Sequence, residues 1–212
     1  MPLNPSKPPQ KPPRVGIFAG TFDPVHKGHI TFALKAAESA DLDEVYFLPE
    51  IVPWRKTAPT HISHRLAMLQ LATRAHSKLN VLELPDKKFD MVHTWPKLKK
   101  RFRGSKLLLI VGSDVFSHMP EWPHVKQLFD DAGVVVGTRG QRDIALTLRG
   151  MVDLNRALWE MHIVETDHPT TSSKLIRTSV AHGLESDMTL RSVQRYIAEN
   201  WLYVDIRSLV SK

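Results

Sequence analysis

The stretch from Arg14 to Ile30, RVGIFAGTFDPVHKGHI, constrains the fold of this chain more than any other. Val15 to Ala19 is a short apolar run with branched and aromatic side chains, as suits a strand buried on both faces of a parallel sheet. Gly20 ends the run and Pro24 stiffens the turn that follows. His26 and His29 then stand where an amphipathic helix begins, its apolar face made of Ile30, Phe32, Ala33, Leu34 and Ala37. Imidazoles three residues apart share a helix face. The unpaired backbone donors of a helix start, added to the positive end of its dipole, favour phosphate over a cation. Two plainer readings stand beside this one: surface histidines, or half of a zinc site.

Further along, strands and helices alternate. A helix is expected over 27–40, a strand over Glu44–Leu48, a loop over 49–59, a helix over 61–75 and a strand over Asn80–Leu84. A helix over 94–103 with Pro96 in its first turn follows, then the apolar strand Leu107–Val111. A helix opening near Pro123, a strand Val134–Val136, a long helix over 141–160, a strand Met161–Val164 and helices over 172–182 and 189–199 complete the pattern. Such alternation predicts a single-domain α/β fold, a doubly wound Rossmann-like parallel sheet over residues 14–212, with ligands at the carboxyl ends of the strands. Residues 1–13 hold six prolines with Lys7 and Lys11, too little apolar surface to pack, and read as a disordered Pro-rich arm.

The chain has 212 residues, enough for one sizeable core. No run of about 18 apolar residues is present, which excludes a membrane-spanning helix, and the proline-rich start lacks the apolar segment of a signal peptide. Without cysteine there are neither disulfides nor thiolate ligands, so a cytoplasmic location is expected. A net charge of +7 favours anionic ligands but does not by itself separate nucleotides from nucleic acid.

The polar motifs fall after strands, on one predicted edge. Arg55 and Lys56 lie in the loop after the second strand, as a cation pair for an anion or as a solvated pair. Gly112-Ser113-Asp114 follows the Leu107 strand; the glycine admits close approach of a ligand and the carboxylate can accept both ribose hydroxyls, or it caps the next helix. Trp122, between Pro120 and Pro123, is displayed to stack on a planar cationic ring, or is plain core. Ser172, Ser173 and Arg177, in SSKLIR at a helix start, make a second phosphate seat, or an ordinary capped helix. The basic run Lys97, Lys99, Lys100, Arg101, Arg103 and Lys106 reads as a solvated face; with no aromatic stacking pattern beside it, a nucleic-acid partner is not expected.

GTFDPVHKGH resembles the signature of the nucleotidyltransferase superfamily, and TSSKLIR resembles its Ile-Ser-Ser-Thr-x-Ile-Arg motif with Thr171 and Lys174 substituted. Bacterial nicotinate mononucleotide adenylyltransferases are the most similar branch, and the resemblance covers about residues 14–202. It implies an enzyme in which the 5′-phosphate of nicotinate mononucleotide attacks the α-phosphorus of ATP, giving nicotinate adenine dinucleotide and pyrophosphate. His26, His29 and Arg177 are then the catalytic residues. ATP lies among Gly20, Thr21, His26, His29, Gly112, Asp114, Ser172, Ser173 and Arg177. The acceptor lies among Thr21, Phe22, Arg55, Lys56, Thr94 and Trp122, with Trp122 on the pyridine ring, and Mg²⁺ enters with ATP. Phe89-Asp90-Met91-Val92-His93-Thr94 departs from the family's Tyr-Thr-x-x-Thr segment, whose amides read the nicotinate carboxylate; Asp90 would repel that group. The rivals are a nicotinamide, phosphopantetheine or cytidylyl transferase of the same superfamily, and a non-catalytic nucleotide or RNA binder.

Overall fold

The computed structural model describes residues 11–52, 59–154, 160–168 and 170–204. Strands β1 (Arg14–Gly20), β2 (Glu44–Pro49), β3 (Leu79–Val81), β4 (Lys106–Gly112), β5 (Ala132–Thr138) and β6 (Met161–Glu165) form one sheet in the order β3-β2-β1-β4-β5-β6. Every neighbouring pair is parallel. The chain moves outward from β1 to β3, returns to β4 beside β1, and moves outward again. The order therefore reverses between β1 and β4, and a crevice opens there at the carboxyl ends of the strands.

Alternation along the strands divides the core in two. From β4, Leu108 and Ile110 point into one layer, while Leu107, Leu109 and Val111 point into the other. All five are essentially sealed from solvent, the period of two that places successive side chains on opposite faces. The first layer receives α1 (Lys27–Ser39), α2 (Ile62–Thr73) and α8 (Arg191–Glu199), through Ile30, Phe32, Met68, Leu69, Val193 and Ile197. The second receives α3 (Thr94–Arg101), α4 (Ser113–Phe116) and α5 (Val125–Asp131), through Trp95, Leu98, Phe116 and Leu128. Helices α6 (Gln141–Asp153) and α7 (Ser173–Ala181) complete the set. Each fully buried Leu or Ile contributes roughly 1.5–3 kcal/mol.

Most elements differ from expectation by a residue or two at their ends, and β5 runs Ala132–Thr138 rather than Val134–Val136. Strand β3 covers Leu79–Val81 rather than Asn80–Leu84, because Val81 sits opposite Phe47 as its last partner and Leu82 and Leu84 then turn into the second layer. Helix α3 ends at Arg101, two residues short, where Phe102 caps it with its N–H on the carbonyl of Leu98. Helix α6 ends at Asp153, and residues 155–159 of the expected helix lie outside the described residues. At the other end of the chain the Lys106 N–H donates to the carbonyl of Pro13, and Lys11 pairs with Asp41. Residues 11–13 of the expected arm thus already touch the domain; residues 1–10 lie outside the described residues.

Candidate active site

β1 delivers the chain to the crevice at Gly20, and α1 leaves it with His26 as its N-cap. The two histidine rings stack with centroids 3.6 Å apart and planes 22° apart. The His26 backbone N–H donates to His29 Nδ1 at 3.2 Å, so a neutral His29 ring carries its proton on Nε2. Phe18 and Phe22 meet that ring edge-on, at 6.0 and 5.1 Å. His26 is 5 % exposed. Burial, with Arg139 and then His168 adding positive charge nearby, lowers its pKa to about 3. It is therefore neutral near pH 7, and its Nδ1 is buried without a hydrogen-bond partner among the described residues. A buried polar atom left this way costs about 1–3 kcal/mol and points to a ligand that completes it. Gly28 makes the stack possible, because a Cβ there would lie 3.1 Å from His26 Nδ1 and 3.5 Å from the Cβ of His168.

The loop between β1 and α1 is gripped from several elements. Arg65 of α2 is wholly buried. Its guanidinium donates to the carbonyls of Thr60, Thr21, Glu50 and Ile51 at 2.7–3.1 Å, tying the loop after β1 to the loop after β2. From α7, Arg177 Nη1 donates to the carbonyl of Asp23 at 2.6 Å and Ser173 Oγ to that of Pro24 at 2.9 Å. Ser172 is the N-cap of α7, its Oγ accepting the Leu175 N–H. The carboxylate of Asp23 accepts from the Thr60 N–H at 3.1 Å and from the Tyr203 hydroxyl at 2.6 Å. Sequence reasoning brought the two phosphate motifs to one edge but assigned no role to Asp23, Tyr203 or His168.

At the end of β4, Asp114 is exposed in the first turn of α4. A Cβ on Gly112 would approach its Oδ1 to 2.6 Å, so glycine is what lets that carboxylate lie over the backbone. Asp114 is not the helix cap; Gly112 holds that position.

Trp122 is half-buried, with its ring 5.8 Å from that of Phe89. A shallow hollow between β2 and this segment is lined by Leu48, Glu50, Phe89 and Thr94, among others. Thr94 is 1 % exposed, and its hydroxyl donates to the Lys88 carbonyl and accepts the Asp90 N–H. Asp90 turns inward on its own segment, its Oδ1 accepting from the Val92 and His93 N–H groups at 2.9 and 2.6 Å. Desolvation opposes its charge, yet these bonds and the His93 ring outweigh it and hold the carboxyl below its usual pKa. The Phe89 N–H is on Glu50. Four amides of the segment expected to read a ligand carboxylate are thus engaged within the chain. Arg55 and Lys56 lie outside the described residues.

In the basic run, Lys97 pairs with Asp86, Lys99 with Asp131 and Lys106 with Glu160; the Asp86 and Glu160 side chains are largely buried, so part of the run is tied into the domain rather than solvated. Among the described residues there is no cluster of three or more His, Asp or Glu able to hold a metal, and no helix long and apolar enough to cross a membrane.

A parallel sheet wound outward in both directions from β1 and β4, with paired imidazoles at one helix start and serines with an arginine at another, defines a nucleotide-binding enzyme of the nucleotidyltransferase class. The chain belongs to the cytidylyltransferase-like family, whose model matches residues 17–179. It is 32 % identical to a Dictyoglomus thermophilum protein named "Probable nicotinate-nucleotide adenylyltransferase", over 90 % of this chain and all of that one. It is 29 % identical to the nicotinate-nucleotide adenylyltransferase of Bacillus subtilis, over 90 % and 98 %. In three dimensions it resembles the nicotinic acid mononucleotide adenylyltransferase of Plasmodium falciparum solved with NaAD. The TM-score is 0.73 at 16 % identity, covering 90 % of this chain and 97 % of that one, a likeness of fold.

Proposed function

We propose that this protein transfers the adenylyl group of ATP to nicotinate mononucleotide, releasing pyrophosphate and forming nicotinate adenine dinucleotide. The observation that carries this reading is the meeting of the His26–His29 stack with Arg177 and Ser173 on one loop at the sheet's switch point. Relatives matched over 90 % of this chain carry the name of that activity.

An oxygen of the acceptor's 5′-phosphate attacks the α-phosphorus of ATP in line, and the bond from that phosphorus to the bridging oxygen of the β-phosphate breaks. Its electrons leave with pyrophosphate. The nucleophile is already an anion, so the protein has no proton to remove; it positions two polyanions and neutralises their charge. Neutral His26 supplies a hydrogen bond to the developing charge rather than a full charge, and His29 stands beside it as a second ring at the same phosphates. Cationic neutralisation falls to Arg177 and Arg139, to Lys56 on the acceptor phosphate, and to Mg²⁺ brought in with the triphosphate. Asp114 takes the ribose of ATP, and Trp122 with Phe89 gives the pyridine ring an aromatic face. Chemistry of this kind suits a cytoplasmic enzyme.

The test is pyrophosphate release with ATP, Mg²⁺ and a panel of acceptors. Nicotinate mononucleotide should turn over best; no turnover of any pyridine mononucleotide would defeat the proposal. One observation favours a second acceptor, nicotinamide mononucleotide: the internal engagement of the amides of Phe89, Asp90, Val92 and His93. A higher kcat/KM for the amide than for the acid would establish that order of preference.

A further inference from the structure

Asp23 poses an electrostatic problem for the site. It is 6 % exposed, and its own carbonyl holds Arg177 Nη1 at 2.6 Å. A carboxylate and a guanidinium of one neighbourhood ordinarily close into a charge-assisted, often bidentate pair. Here they do not: among the described residues, Arg177 forms no ion pair with Asp23 or any other carboxylate. Each carboxylate oxygen accepts one bond, Oδ2 from the Thr60 N–H and Oδ1 from the Tyr203 hydroxyl, and the two together fix the direction of the carboxylate. The turn that presents Tyr203 has Trp201 and Tyr203 itself in the left-handed region, at φ 51° and 64°, a costly conformation for aromatic residues. Phe22, next to Asp23, is also left-handed at φ 50°. Such backbone cost is retained where the contact it produces matters.

We propose that Tyr203 is a positioning residue: by holding Asp23 Oδ1 it fixes the carboxylate in a direction that does not reach the Arg177 guanidinium, which stays available for the phosphates of ATP. The inference rests on the assignment of Arg177 to ATP given above. It makes the turn after α8, some 180 positions from the phosphate loop in sequence, part of the catalytic apparatus without touching substrate.

The experiment compares Tyr203→Phe, Asp23→Asn, the double variant and Arg177→Ala by steady-state kinetics in both substrates, with urea unfolding to verify that each is folded. Arg177→Ala should raise the KM for ATP or lower kcat by about tenfold or more, the effect of losing a charge-assisted contact; an unchanged ATP KM and kcat would remove the assignment on which the inference rests. Tyr203→Phe should raise the ATP KM about tenfold and leave the acceptor KM within about twofold. The double variant should recover most of the ATP KM, because Asp23→Asn removes the charge that captures Arg177 and leaves one amide oxygen for Thr60. A merely structural tyrosine would show no such rescue. A Tyr203→Phe enzyme with the wild-type ATP KM, or a double variant no better than Tyr203→Phe, would overturn the proposal. If Tyr203→Phe does not fold, the double variant decides alone: an ATP KM near wild type supports the proposal and a tenfold rise defeats it.

Discussion

Replacing Arg65 by methionine, which keeps an unbranched apolar stem but none of the donors, should cost about 4 kcal/mol. The figure follows from four carbonyls, those of Thr21, Glu50, Ile51 and Thr60, that lose their N–H partners beneath a side chain with no solvent exposure. Each orphaned acceptor costs about 1–3 kcal/mol. The lower end applies, because removal of the guanidinium also returns the cost of burying a charge, which already lowers the Arg65 pKa. Against a total stability of roughly 5–15 kcal/mol, the loss is a large share. For a chain of this size it corresponds to a fall in Tm of about 8–16 °C. Urea unfolding and thermal melting measure it directly. Arg65 also ties the loops after β1 and β2, so the acceptor KM should rise in the variant at temperatures where it is folded. A Tm within about 2 °C of wild type would show that the four carbonyls find other partners and that Arg65 is not the tie described.

Three further outcomes are expected. His29→Ala should lower kcat at least a hundredfold in a variant that still folds, as removal of one preorganised donor to transition-state charge does; full activity in the folded variant would contradict the cradle. His26 has a pKa of about 3 in the folded protein against 6.5 unfolded, so between those values the unfolded chain binds the extra proton. Its contribution is therefore constant above pH 6.5 and falls progressively below it, by up to a few kcal/mol. Compared with His26→Gln, wild type should lose stability more steeply between about pH 6.5 and 4, and parallel curves would show that the ring is protonated as easily as in the unfolded chain. Trp122→Ala should raise the acceptor KM about five- to a hundredfold, from a lost contact of roughly 1–3 kcal/mol, and leave the ATP KM unchanged; an effect on ATP alone would place the pyridine elsewhere.

Much of the architecture is written locally. The apolar runs of β1, β4 and β5 are too short for helices and too continuous for half-exposed strands, so parallel pairing follows from sequence alone, and with it the edge where the motifs gather. His26, His29, Ser172 and Ser173 were legible because helix starts have a local signature. Arg65 and Asp90 were not. An arginine on a helix and an aspartate in a loop look alike in sequence whether they face solvent, a ligand or their own backbone, since the carbonyls and amides that claim them come from other segments. The Asp90 carboxylate, expected to repel the nicotinate carboxylate, is held in its charged form by its own segment's N–H groups. Tyr203 carries no local mark at all; its partner lies in the first loop of the domain. Periodicity and motif spacing are properties of neighbours along the chain and so determine elements, sheet type and the phosphate edge. Which donor satisfies which buried acceptor is a property of neighbours in space, and that was decided by the tertiary structure, where each buried polar group must find a partner or bear the cost of lacking one.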